Sequence, residues 1–245
     1  MIKKDLVQKN FSRGSETYEE FAKVQKYMAN ELISFGPLEE NINILEIGSG
    51  TGILTRELLK KYPDSQITLM DISNKMLDKC KKEFGFNLNY ILADAETYEF
   101  SDNYDLIISN ATFQWFENLD KSIGKFREIL KPKGKIIFST FCKGTYEELS
   151  NSFLKVSPEY KYSQNFIETK DLLNYGEILN SEIYTEYYES LIDFLKAIKA
   201  IGAQSSLENK RILTKHILKK VEEEYLKEYG EILVSNVLAF IKIEK

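Results

Sequence analysis

The chain has little of what metal and nucleophile chemistry draws on. Its 245 residues hold one histidine and two cysteines. Cys80 and Cys142 cannot build a disulfide framework, and each reads as a plain thiol. A metal site needs several His, Cys or carboxylate ligands at fixed spacing, and no such cluster occurs. A triad would have to use His216, which stands in a basic segment with no nucleophile motif beside it. No run of about 18 apolar residues exists, so no segment reads as a membrane span. The first residues, Met1-Ile2-Lys3-Lys4-Asp5, lack the apolar stretch of a secretion signal. With four prolines and no repeat or low-complexity tract, nothing reads as a linker. The expectation is one cytoplasmic domain over residues 1–245, without a metal.

A hydrophobic content of 43% is enough for a large core, and 29% charged residues is ordinary. The net charge of −5, from 33 basic and 38 acidic residues, argues against a nucleic-acid partner. The cations are unevenly placed. Residues 121–143 hold seven Lys/Arg against the single acid Glu128, and residues 191–220 hold seven against Asp193 and Glu208. These stretches read either as solvated helical faces or as a docking surface for an acidic partner, which would raise encounter rates.

One segment carries most of the chemistry. The apolar run Ile44-Leu45-Glu46-Ile47 enters the turn Gly48-Ser49-Gly50-Thr51-Gly52, and a helical pattern follows. Glycines let a backbone approach a nucleotide closely, since they have no Cβ and accept positive φ. The spacing is G-x-G-x-G with Ile53 next, whereas the dinucleotide fingerprint would place a small residue there. Glu46 precedes the first glycine by two residues, where it could face a cationic ligand. These features favour S-adenosylmethionine over a nicotinamide; a tight structural turn is the plainer alternative. Downstream, Gln66-Ile67-Thr68-Leu69-Met70 ends at Asp71, and Asn89-Tyr90-Ile91-Leu92-Ala93 ends at Asp94. An acid about 20 residues past the glycines can accept both ribose hydroxyls, and the next can accept from an adenine amino group. A fourth run, Tyr104–Asn110, follows. Each acid alone would pass for a helix cap, but successive strand ends are where open α/β sheets bind ligands.

Strand and helix patterns alternate from 43 to 140, which calls for a parallel sheet with helices on both faces. Residues 10–35 read as one leading helix with a stripe at Phe21, Val24, Met28 and Leu32, closed by Gly36-Pro37. A second helix follows the glycine turn and stops near Pro63, and Ser73 caps a third, through Met76, Leu77 and Cys80. Residues 118–131 read as a fourth, ahead of a strand at Lys135–Thr140. Past 160 the pattern changes: Ile183–Tyr188 alternates like a half-exposed edge strand, 191–229 reads as two helices broken at Gly202, and Ile232–Ile241 as a closing strand.

The core resembles the class I S-adenosylmethionine-dependent methyltransferases over residues 40–145. The resemblance rests on Leu45–Gly52, Asp71, Asp94-Ala95, Asn110 and Leu130-Lys131-Pro132-Lys133-Gly134-Lys135. It implies an α/β Rossmann-like fold: a mostly parallel seven-stranded sheet, helices on both faces, an antiparallel last strand and a helical lid. Residues 1–40 would form a capping helix, 41–160 the cofactor core, and 161–245 a C-terminal part with a helical insertion at 191–229. Glu46, Gly48 and Gly50 would line the methionine part of the cofactor, Asp71 and Ile72 would hold the ribose, and Asp94 and Ala95 the adenine. Ser49, Met76 and Asn110 are further cofactor-binding candidates.

Four further blocks resemble the malonyl-acyl-carrier-protein O-methyltransferases of biotin synthesis. They are Asn10–Tyr18 with Gln25, Ser109–Trp115, Phe138–Leu149 and Leu195–Ala203. Two departures stand out: Cys142-Lys143 replaces a common Gly-Pro, and Val234-Ser235-Asn236-Val237 replaces a tyrosine-rich pattern. The resemblance implies methyl transfer to the free carboxyl of a malonyl thioester on acyl carrier protein, with S-adenosylhomocysteine as product. Such a carboxylate is already ionised near neutral pH, so alignment and exclusion of water suffice. Tyr18 and Gln114 would donate hydrogen bonds near the methyl group, Lys143 or Lys199 would contribute charge, and Trp115 would be wall. Acceptor preference could instead fall on another small acid or a quinone precursor, or the chain could be a non-catalytic cofactor-binding module. A monomer without nucleic-acid or membrane partners is expected.

Overall fold

The computed structural model describes residues 4–158, 165–203 and 214–245. Three helices lead: α1 (Lys4–Gly14), α2 (Tyr18–Phe21) and α3 (Lys23–Ser34). The alternating part follows as β1 (Asn43–Ile47), α4 (Ile53–Lys61), β2 (Gln66–Asp71), α5 (Asn74–Phe84), β3 (Asn89–Leu92), β4 (Tyr104–Asn110), α6 (Leu119–Glu128) and β5 (Leu130–Phe141). The remainder is α7 (Glu147–Val156), β6 (Glu177–Tyr188), α8 (Leu191–Ala200), α9 (Lys215–Tyr229) and β7 (Ile232–Glu244).

The strands form one seven-stranded sheet in the order β3-β2-β1-β4-β5-β7-β6. The first five are parallel, and β7 enters antiparallel between β5 and β6. This matches the mostly parallel α/β sheet implied by the resemblance. The order reverses between β1 and β4, and open sheets of this kind bind ligands at such a reversal.

Both faces of the central strands are covered, which is why they are unbroken apolar runs. On one face, Met28, Leu32, Leu58 and Leu77 pack over Ile44, Leu106 and Ile137. On the other, Ile123 and Phe126 of α6 meet Leu45, Ile107 and Phe138. Full burial of each such side chain contributes ~1.5–3 kcal/mol. A third cluster joins α7, α8 and α9 to the ends of β7 through Phe153, Phe194, Tyr225 and Val234.

Three sequence expectations change. The leading segment is three helices, because the chain turns at Gly14–Thr17 and at Ala22. Gly14 has to be small there: a Cβ would stand 2.7 Å from Ala200 O of α8. The helix expected through residue 131 stops at Glu128, and β5 begins at Leu130, paired with Tyr104. Pro132-Lys133-Gly134 forms a bulge inside that strand, with Lys133 at φ +67°, and Gly134 O accepts from Lys245 N. The edge strand starts six residues earlier than its alternation suggests, at Glu177. The break at Gly202 is present, with φ +72°; residues 204–213 of the expected 191–229 insertion lie outside the described residues, as do 159–164 around the expected boundary at 160. Among the described residues no helix is long and apolar enough to cross a membrane.

Candidate active site

A cleft lies at the carboxyl ends of β1 to β4. Each strand delivers residues to it by ending there. Gly48 and Gly50 follow β1, Asp71 and Ile72 close β2, Asp94 and Ala95 follow β3, and Asn110 and Ala111 close β4. Met76 of α5 adds an apolar wall.

The glycine turn is fixed from behind. Gly48 N and Ser49 N both donate to Met70 O, at 2.7 and 3.1 Å. Gly50 N donates to Asp71 Oδ2 at 2.9 Å, and Ser73 N donates to Asp71 Oδ1 at 2.7 Å. Asp71 therefore ties two loops together while lining the cleft. Burial raises its carboxyl to about 6, against the lowering effect of the Ser73, Gly50 and Ile72 amides. Ser49 and Glu46 do not line the cleft; both are buried beneath the turn. Ser49 Oγ has no hydrogen-bond partner there.

Glu46 Oε2 accepts from Thr55 Oγ1 of α4 at 2.7 Å. Burial pushes its carboxyl up to about 8; the Thr55 hydrogen bond opposes this and the Asp71 charge adds to it. A glutamate in an unfolded chain titrates at about 4.3, so the native state holds an extra proton between the two values. Stability therefore falls as pH rises through that window. Glu46→Gln keeps an acceptor for Thr55 and removes the titration. Thermal unfolding between pH 5 and 8 is expected to show the wild type losing stability more steeply than this variant. Parallel curves would mean a well-hydrated carboxylate.

Helix α1 covers the cleft, and Lys4, Val7 and Phe11 line it. Gln8 Nε2 donates to Ile72 O at 2.7 Å, and the Ser12 and Ser73 hydroxyls are 2.8 Å apart. At its far end, Thr17 Oγ1 donates to Ala200 O at 2.9 Å. Lys4 pairs with Asp94 at 3.4 Å and Glu96 at 2.5 Å, and lies 4.8 Å over the Phe116 ring. Glu96 N also donates to Asp94 Oδ1, at 3.0 Å. Periodicity read from residue 10 onward missed this helix. Its stripe of Val7, Phe11 and Gly14 was the available signal. Thr112 lies inside the Ser109–Trp115 block, and Phe116 and Lys4 have no signal of their own.

A second chamber adjoins the cleft at Phe11, Tyr18, Ala111 and Trp115, which line both spaces. It adds Gln25, Gln114 and Tyr146 among apolar residues. Asn110 binds it to the sheet: Nδ2 donates to Gln25 O at 2.9 Å, and Oδ1 accepts from Ser139 Oγ at 2.7 Å. Burial, with Asp71 and Glu19 adding, pushes the Tyr18 phenol up, so it remains a donor at neutral pH. Gln114 Nε2 donates to Ala111 O at 2.6 Å, and its Oε1 accepts from Thr140 Oγ1 at 3.3 Å. Trp115 meets Phe11 edge-on, centroids 5.4 Å apart.

The expected cations do not reach this place. Lys143 is exposed and pairs with Glu168 at 2.5 Å, because the chain bridges from Cys142 to Ile167 and carries the side chain outward. Lys199 is exposed at the end of α8 and lines neither space. The basic stretch at 121–143 is also largely engaged within the molecule. Lys125 donates to Ala95 O and Glu96 O, Arg127 to Tyr175 O, and Lys131 to Asp105. Among the described residues no group of three or more His, Cys, Asp or Glu could hold a metal.

The methyltransferase-domain family matches residues 44–134. The YcgJ protein of Bacillus subtilis superposes with TM-score 0.63 at 13% identity, over 89% of this chain and 98% of that one. A coclaurine N-methyltransferase solved with S-adenosylhomocysteine superposes with TM-score 0.58 at 16% identity, over 90% of this chain and 72% of that one. Sheet order, glycine turn and strand-tip acids thus define an S-adenosylmethionine-dependent methyltransferase of Rossmann-like fold. Among curated proteins, malonyl-[acyl-carrier protein] O-methyltransferase 2 of Ilyobacter polytropus is 42% identical over 100% of this chain and 99% of its own. The protein of the same activity from Acetivibrio thermocellus is 34% identical over 100% and 95%. The chain belongs to the malonyl-[acyl-carrier protein] O-methyltransferase family.

Proposed function

We propose that this chain methylates the free carboxylate of a malonyl thioester carried on an acyl carrier protein. The observation that carries this reading is the second chamber. Among the described residues, its lining has phenol and amide groups and no imidazole or carboxylate. An amine or alcohol acceptor would need a base at that place, whereas a carboxylate is already ionised. The names of the curated relatives point to the same substrate.

S-adenosylmethionine, when bound, supplies a methyl group on a sulfonium. The cleft fits it: it lies at the reversal in strand order, the glycine turn lines it, and acids stand at the tips of β2 and β3. Asp71 would hold the ribose hydroxyls, Asp94 the adenine side, and the backbone at Gly48 and Gly50 the methionine part. Ile72, Met76, Ala95 and Asn110 would complete the walls, with Glu46 and Ser49 supporting the turn. α1 excludes water from above. Tyr18 and the free hydrogen of the Gln114 amide would orient the acceptor carboxylate, and Trp115 would form the wall between the spaces.

Incubating the chain with cofactor and malonyl-carrier protein is expected to add one methyl group to the carrier's mass. No gain would end the reading. Tyr18→Phe removes one donor at the boundary of the two spaces, so kcat/KM should fall about tenfold. Affinity for S-adenosylhomocysteine should change less than about threefold, because the tyrosine ring and its packing remain. If Tyr18→Phe and Gln114→Ala both stay within about twofold of wild type, these residues do not hold the acceptor.

A further inference from the structure

Helix α2 is held by polar contacts more than by packing. It is four residues long, and none of the four is wholly buried. Yet it carries Tyr18, which lines both the cleft and the second chamber. The next residue, Glu19, supplies attachments. Its Oε1 accepts from Arg56 Nη2 at 2.7 Å, and its carbonyl accepts from Lys26 Nζ at 2.6 Å. Arg56 stands in the first turn of α4, where its amide donates to Gly52 O at 3.0 Å. Its guanidinium is itself held. Nε and Nη2 donate to the two oxygens of Glu83 on α5 at 2.5 and 2.6 Å, and the group lies 6.0 Å over the Phe84 ring. The guanidinium is therefore fixed in place, and through Glu19 it ties the segment bearing Tyr18 to the helix that leaves the glycine turn.

We propose that Arg56 positions Tyr18 for methyl transfer: clamped by Glu83, it fixes Glu19 and so sets where the Tyr18 hydroxyl stands relative to the glycine turn. The inference rests on the proposed role of Tyr18 in holding the acceptor. The methyl donor is placed by the turn after β1, the acceptor by α2, and Arg56 joins the two. Displacements of about 1 Å are enough to cost a large share of the rate that alignment supplies. The three side chains are partly exposed, at 30% for Arg56, 38% for Glu19 and 42% for Glu83, and ion pairs of that exposure add little to folding stability. The pair is thus better suited to setting a geometry than to holding the fold. An arginine can meet Glu83 side-on while one of its nitrogens reaches Glu19; a lysine, a single point charge, could not do both.

The test is a double-variant cycle on the full chain, with S-adenosylmethionine and malonyl-carrier protein. Arg56→Gln is expected to lower kcat/KM about tenfold, while S-adenosylhomocysteine affinity stays within about threefold of wild type. Glu19→Gln breaks the pair from the α2 side and should give the same pattern, which keeps the test available if Arg56→Gln does not fold. Added to Tyr18→Phe, either substitution should cost less than about twofold more, because the hydroxyl it positions is already gone. Losses that multiply to about 100-fold would place the effect of Arg56 elsewhere and overturn the proposal. So would Arg56→Gln and Glu19→Gln at wild-type rate, or a matching loss of cofactor affinity. Tyr18→Phe at wild-type rate would remove the role on which the proposal stands, and the proposal with it. A wild type that adds no methyl group would instead refute the proposed function itself, a failure seen before any variant is made.

Discussion

Replacing Asp71 by asparagine is expected to lower affinity for S-adenosylhomocysteine about 100-fold, equivalent to about 2.7 kcal/mol. The carboxylate has two tasks that the amide cannot share. Its two oxygens accept from Gly50 N and Ser73 N. An asparagine has one oxygen, so its NH2 would be turned against one of these backbone donors. The glycine turn or the start of α5 then loses its anchor. A ribose hydroxyl would also lose an ionised acceptor, and hydrogen bonds to charged groups are worth about 1.5–3 kcal/mol. The pH dependence should change with it. Because burial holds Asp71 at about 6, the free protein carries a proton there in more acidic solution. Ribose hydroxyls want an acceptor, so binding must expel that proton. Affinity should climb with pH up to about 6, nearly tenfold per unit, and level off above it. In Asp71→Asn that slope should be gone. Calorimetry from pH 5 to 8 on both proteins reads both effects. An unchanged affinity and an unchanged slope would place the ribose elsewhere.

The places where the sequence was informative are those where a pattern directly encodes position. A strand that is apolar throughout and then meets an acid announces its own carboxyl end, as at Met70-Asp71 and Ala93-Asp94. Those two acids, with the glycine turn after β1 and Asn110 at the end of β4, are enough to outline a cleft. Direction is a different matter. Lys143 follows β5 closely in sequence, yet its side chain leaves the site for Glu168 because of a bridge between residues 25 positions apart. Glu46 belongs to the motif by spacing, but its rotamer toward Thr55, made possible by the first turn of α4, puts it under the turn. Helix α1 was hard to read for a third reason. A helix that covers a cleft presents few large apolar residues, and its attachments are polar: Gln8 to a carbonyl, Ser12 to a hydroxyl, Lys4 to two acids. Hydrophobic periodicity registers burial in a core and is nearly silent about such contacts. Asn236 shows the same limit. The departure from a tyrosine-rich strand is visible in the sequence, but that its side-chain oxygen is buried without a partner becomes visible only when β6 supplies the partners of the nitrogen.

Gly48→Ala is expected to abolish measurable cofactor binding, whereas Gly50→Ala should weaken it far less, although the two glycines stand two residues apart in one turn. Both have positive φ, +72° and +54°, so each alanine bears the left-handed penalty of about 1–2 kcal/mol. Their surroundings differ. A Cβ at Gly48 would lie 2.1 Å from Thr112 Oγ1 and 2.5 Å from its methyl group. A Cβ at Gly50 would meet nothing within 4 Å. Thr112 cannot simply rotate away, since its hydroxyl donates to Asn110 O at 3.1 Å and it leads into the turn that carries Gln114 and Trp115. Gly48 itself is tied to Met70 O through its amide. The clash must therefore push the β1 turn and the β4 loop apart, at the reversal in strand order where the cofactor would sit. Removing the obstruction provides the internal control. Gly48→Ala combined with Thr112→Ala takes away the oxygen and methyl that the new Cβ meets, and leaves only the backbone strain and the residual crowding at the Thr112 Cβ. The double variant should regain at least about tenfold in affinity over Gly48→Ala, and Thr112→Ala alone should bind nearly as wild type; such non-additivity is the signature of two groups in contact. If the double variant binds no better than Gly48→Ala, backbone conformation alone makes glycine necessary at this position, and the tight approach of the two loops has no part in it.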